Sequence, residues 1–116
     1  MALNVIIDEV TVIGFANKAL GDRGFELSRP ISVKNDAGHW EETGRNYFKV
    51  WIAPENLAIE IGSSQQVVVV GRLKIFETEY EGKTRIEMHI TAKTAKPYKS
   101  HVDAVEARKE AAEAPF

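Results

Sequence analysis

Between Val67 and Thr94 the chain reads VVVVGRLKIFETEYEGKTRIEMHITAKT, two β-branched runs around the polar turn Glu81-Gly82-Lys83. Residues alternate between apolar and polar on both sides of that turn, the period of strands with one buried face, so the stretch is expected to form a β-hairpin. In the first arm Val67, Val69, Leu73 and Ile75 share one face, and Arg72, Lys74 and Phe76 share the other. The second arm sets Ile86, Met88, Ile90 and Ala92 against Arg85, Glu87, His89, Thr91 and Lys93. Gly71 interrupts the apolar run where a barrel strand needs a bulge or a sharp bend, so the hairpin is expected to be coiled rather than flat. A curved sheet with cations and an aromatic on its outer face suits a polyanion that carries stackable bases.

Upstream, Leu3–Phe15 (LNVIIDEVTVIGF) is a β-rich run long enough to bend and serve two sides of a barrel. A polar turn region, Asn17–Gly24, separates it from Phe25–Val33, a poorer strand in which Pro30 cannot donate a ladder bond and so favours an edge or a break. Lys34–Gly44 is expected to be a loop with Asn-Asp-Ala-Gly turn chemistry, and it carries Trp40. In the third strand, Asn46–Ile52, alternation puts Phe48, Val50 and Ile52 toward a core and Tyr47, Lys49 and Trp51 on the opposite side. Pro54–Ile61 reads as a short helix, with Pro54 at its first position and Gly62 as its stop.

The order β-β-β-α-β-β is that of an all-β, five-stranded OB-fold barrel with a short helix between strands 3 and 4. A chain of 116 residues, 44% hydrophobic, suits one such domain with one modest core. Residues 1–99 are expected to form the barrel and residues 100–116 a helical or flexible acidic tail. The absence of cysteine removes a disulfide framework and thiolate zinc sites, and three scattered histidines have no metal-ligand spacing. No metal or cofactor is expected. The apolar runs are too short for a membrane span and no secretion signal is legible at the N-terminus, so a soluble, cytoplasmic protein is expected, with no membrane partner. Net charge is −2, but residues 1–102 carry 13 Lys and Arg against 13 Asp and Glu, so a neutral body leaves room for a basic face.

Four motifs narrow the topology. Gly38-x-Trp40-x-x-Thr43 precedes Tyr47-Phe48-Lys49-Val50; Pro54-Glu55-Asn56-Leu57-Ala58 follows; then comes Val68-x-Val70-Gly71-Arg72-Leu73. In these the chain resembles the bacterial and phage single-stranded DNA-binding protein family, over roughly residues 3–97 and again at the terminal Pro115-Phe116. The resemblance is weak across Phe25–Val33. The acidic tip usual in that family is thinned to Glu110 and Glu113, without the long linker that usually precedes it. The resemblance implies sequence-nonspecific binding of single-stranded DNA, nucleoid-associated roles in replication, recombination and repair, a homotetramer, and docking of replication or repair proteins on Pro115 and Phe116.

Phosphate contact would fall to Lys49, Arg72, Lys74, Arg85 and Lys93, and base stacking to Trp51, Phe76, Tyr47, Trp40 and Tyr80. Each has a plainer alternative. Phe76 and Trp51 could be cross-strand aromatics shielding the barrel, Trp40 could pack over a barrel end, Tyr80 could lie across its neighbouring strand, and the cations could be a solvated sheet face. His89 reads as structural, and Glu77, Glu79, Glu81 and Glu87 as solubilising charges around a turn. No Gly-rich phosphate loop, nucleophile elbow or Cys/His pair is present, so no enzymatic activity is expected. A second function class is an OB-fold module that binds protein in a replisome or a plasmid or phage maintenance complex. The tail SHVDAVEARKEAAEAPF begins with a capping-box-like Ser100 and Asp103 ahead of strong helix formers. Its helix is expected to be only partly formed unless Val102 and Val105 dock on the barrel.

Overall fold

The computed structural model describes residues 3–53, 59, 61, 62 and 65–113. Among these, five strands are followed by one helix: β1 (Asn4–Ala19), β2 (Gly24–Lys34), β3 (Trp40–Trp51), β4 (Gln66–Tyr80), β5 (Lys83–Pro97) and α1 (His101–Glu113). The strands close into a barrel in the order β1-β2-β3-β5-β4, every pairing antiparallel except β3 with β5. This is the OB-fold arrangement anticipated from the sequence. The expected helix at Pro54–Ile61 falls largely on residues 54–58 and 60, outside the described residues. The described Ile59, Ile61 and Gly62 form a bend and a turn, and no helix is seen there.

Closure depends on strands that bend. β1 pairs with β4 from Asn4 to Phe15 and with β2 from Phe15 to Ala19, so one long strand serves two sides. Its register shifts between Ile7 and Val10 and between Ala16 and Lys18 supply the curvature. β4 and β5 shift register between Val70 and Gly71. There the backbones approach so closely that a side chain at Gly71 would run into the Thr91 carbonyl and the Ala92 α-carbon. The β4–β5 turn is tighter than expected: Glu81 and Gly82 alone connect the strands, both at positive φ, and Lys83 already pairs with Tyr80.

Alternation then sorts side chains as expected. Phe48 and Val50 from β3, and Ile52 just past its end, point inward with Phe25, Leu27, Val67, Val69, Leu73 and Ile90. Fully burying each such side chain contributes about 1.5–3 kcal/mol. Pro30 lies beyond the end of the β1 pairing and is laddered to β3 alone, where an absent N–H is tolerated. Trp40 corrects the loop expectation. Only residues 35–39 turn, closed by the Asn35 Oδ1 accepting from the backbone N–H groups of Ala37 and His39, and Trp40 opens β3 opposite Lys34.

His101–Glu113 of the tail form a helix that docks on the barrel through a different face from the one expected. Val102 and Val105 are exposed, and Ala104, Ala107 and Ala111 are buried against Val68 and Val70, with Ile13 and Tyr98 alongside. The outer face of the Val67–Val70 run is therefore covered, which is why four consecutive valines are all buried. The Asp103 carboxylate accepts from the backbone N–H groups of Lys99 and Ser100, capping the first turn, and these bonds hold its carboxyl below the usual aspartate range. Farther along α1, Lys96 on β5 bridges to Glu110 at 3.2 Å and Glu106 at 3.3 Å, contacts that raise its ammonium pKa. Among the described residues no helix is long and apolar enough to cross a membrane.

Candidate functional site

Residues that pair across a sheet share a face, so the register of β3, β5 and β4 decides which polar side chains meet outside the barrel. Lys49 pairs with His89 and Trp51 with Thr91, while His89 pairs in turn with Lys74 and Glu87 with Phe76. One outer surface thus collects Tyr47, Lys49 and Trp51 from β3, Glu87 and His89 from β5, and Arg72, Lys74 and Phe76 from β4.

His89 stands at its centre. Its ring lies 5.0 Å from that of Phe76 and 6.0 Å from that of Trp51, so three aromatic rings form a row across three strands. The Trp51 indole N–H donates to His89 Nδ1 at 3.0 Å, and His89 Nε2 faces Glu87 Oε1 at 3.4 Å. The indole also lies across Gly24, whose missing side chain makes the room: a β-carbon there would sit 2.8 Å from the ring. Trp51 remains 36% exposed. One face of the row is therefore supported and the other is open.

Cations surround the row, each already engaged. Lys49 Nζ donates to Glu87 Oε1 at 2.8 Å, and this ammonium, with His89 adding to it, holds the Glu87 carboxyl below the usual glutamate range. Lys74 sits over the Phe76 ring, 5.2 Å from its centre, and Arg85 lies 5.5 Å from the centre of Tyr80. Arg72 reaches Asp8 on β1 at 3.3 Å. These are solvent-exposed contacts worth little each, so an arriving anion can exchange them at small cost.

Two open grooves run along the β3–β5 seam. One, of about 520 Å³, lies between β3 and the end of the β4–β5 hairpin, lined by Tyr47, Lys49, Tyr80, Arg85, Ile86 and Glu87. The other, of about 650 Å³, lies past Trp51 against Arg23, Ile52 and Thr91. Trp51, Lys49 and the aromatic row sit along the path from one to the other, which makes a single exposed track lined by π-faces and cations.

Of the residues singled out in the sequence, Tyr47, Lys49, Trp51, Arg72, Lys74, Phe76, Tyr80 and Arg85 fall on or beside this track. Trp40 does not join them. It is 70% exposed at the far end of β3, eleven positions from Trp51. Lys93 falls in the β4–β5 register shift, between Ala92 and Thr94. Pro115 and Phe116 lie outside the described residues. Arg23 and Gly24 are not among the sequence candidates. His89 reads from the sequence as structural and Glu87 as a solubilising charge, although alternation already places both on the outer face. Their meeting with Trp51 and Lys49 depends on the parallel β3–β5 pairing, for which no local signal exists. Among the described residues no cluster of His, Asp or Glu could hold a metal ion.

The chain matches no protein-family model and no curated protein. Among solved structures it is similar to the small single-stranded DNA-binding protein from Streptomyces coelicolor, with 24% identity, a TM-score of 0.56, and coverage of 75% of this chain and 90% of that one. At this identity the similarity establishes the shared fold.

Proposed function

We propose that this protein binds single-stranded DNA without strong sequence preference, using the outer face of β3, β5 and β4. The observation that carries this reading is the row Trp51–His89–Phe76, open on one side and bordered by Lys49 and Lys74. Bases stack on Trp51, Phe76 and Tyr47 through faces that every base possesses, and phosphates exchange with the carboxylates and rings that hold Lys49, Lys74, Arg72 and Arg85 at rest. Lys93 and the distant Trp40 would meet only a longer strand. The structural relative is named for the same activity. The track binds and does not transform its ligand, and no cofactor enters the mechanism.

Roles in replication, recombination and repair belong to the same reading, as does location at the nucleoid. Among the described residues the first half of β1 pairs with β4 and has no strand on its other edge, beside which Val5, Ile6 and Ile7 are exposed, and this favours coverage by further copies of the chain and assembly as a homotetramer. Residues 1–99 would serve as the DNA-binding unit and residues 100–116 as an appendage whose Pro115-Phe116 tip docks on replication or repair proteins. The alternative of a barrel face devoted to protein is disfavoured by the exposed cations along the track. The test is competition for the protein among oligo-dT, mixed-sequence single strands and duplex DNA of equal length, followed by tryptophan fluorescence. Comparable affinity for the two single strands and much weaker binding of the duplex are expected. Preference for duplex would refute the reading.

A further inference from the structure

The hydrogen bonds around His89 specify more than a packing role. An indole N–H can only donate, so the 3.0 Å contact requires His89 Nδ1 to be an acceptor without a proton. In a neutral imidazole the proton then sits on Nε2, the nitrogen that faces the Glu87 carboxylate. Glu87 is itself held by Lys49 from the neighbouring strand. The order Lys49–Glu87–His89–Trp51 is a relay in which each member fixes the next, and it ends on the largest exposed ring of the track.

We infer that His89 is a positioning residue that locks the Trp51 indole in the pose that stacks on a base, and that it does so by accepting the indole N–H. The inference rests on the single-strand reading for its consequence but not for its geometry. Two effects follow. The rotameric freedom of Trp51 is lost on folding rather than on binding, which lowers the cost of engaging a base. The indole N–H is also consumed internally, so Trp51 offers a base its face and no hydrogen bond to a base edge, as nonspecific stacking requires.

Two substitutions separate the hydrogen bond from simple ring packing. His89→Phe keeps an aromatic ring against Phe76 but has no acceptor, and His89→Asn keeps an acceptor near the position of Nδ1 but has no ring. In the wild type the Trp51 indole N–H resonance is expected to be shifted downfield and protected from exchange relative to that of Trp40. It should lose both properties in His89→Phe and stay shifted in His89→Asn. Oligo-dT affinity should fall about three- to tenfold in His89→Phe, the range for one side chain ordered on binding, and less in His89→Asn. An unshifted Trp51 resonance in the wild type, or oligo-dT binding unchanged by His89→Phe, would overturn the positioning role. If the resonance behaves as described but the wild type binds no oligo-dT, the relay stands and the single-strand reading falls.

Discussion

Gly71→Val will lose about 3 kcal/mol or more of folding stability and lower the melting temperature by on the order of 10 °C. The site looks harmless in sequence, because valine is the better strand former and four valines precede it. In the barrel the position leaves no space. A β-carbon on Gly71 would overlap the Thr91 carbonyl oxygen and lie 2.7 Å from the Ala92 α-carbon, both backbone atoms of the strand that completes the sheet. Relief requires β4 and β5 to separate at the bend that lets the hairpin coil, and that would disturb the Leu73–Ile90 pair in the core just beyond it. Arg72→Val provides the control, since its side chain points outward and a surface change there should stay within about 0.5 kcal/mol. Thermal unfolding of both variants by circular dichroism checks the expectation. A Gly71→Val protein melting within a few degrees of wild type would show that the bend is not the closure point described.

Trp51→Ala combined with Phe76→Ala should nearly abolish single-strand binding while leaving the barrel folded. Each stacked base contributes about 1–3 kcal/mol by alanine substitution, so the pair should cost between about thirtyfold and, if the two were fully additive, about twenty-thousandfold in affinity. The two effects will not simply add, because both rings contact His89 and loss of either loosens the other. Stability should change little, since Phe48 and Val50 carry the β3 contribution to the core while Trp51 lies outside it. Isothermal titration with oligo-dT and melting curves on the same samples separate the two effects. If the double variant unfolds while its folded fraction binds normally, these rings belong to the core and the assigned facing is inverted.

The facing of β3 and of the central hairpin was legible because a barrel strand buries one side, and period-2 alternation writes that directly into Phe48, Val50, Leu73 and Ile90. The bend at Gly71 was legible for the same reason, as a residue without a side chain inside an apolar run. Three features were not. Trp40 reads as part of a loop because its strand is created by pairing with Lys34 and not by its own neighbours' propensity. His89 and Glu87 read as background because their partners Trp51 and Lys49 are 38 positions away, across a parallel pairing. The sequence points to Val102 and Val105, the largest apolar side chains of α1, as its docking face. A helix approaching a valine-rich sheet closely does better with Ala104, Ala107 and Ala111, which bring the backbone near without leaving gaps.

The outer face of β3, β5 and β4 is where the account stands or falls, and titrating labelled protein with oligo-dT while following backbone amide and indole resonances examines it directly. The largest changes are expected at residues 47–51, 72–76 and 85–91 and at the Trp51 indole, and they should weaken as salt is raised because phosphate contacts release counterions. Changes confined to α1 and the free edge of β1, with residues 47–51 and 72–76 unmoved at saturation, would contradict it.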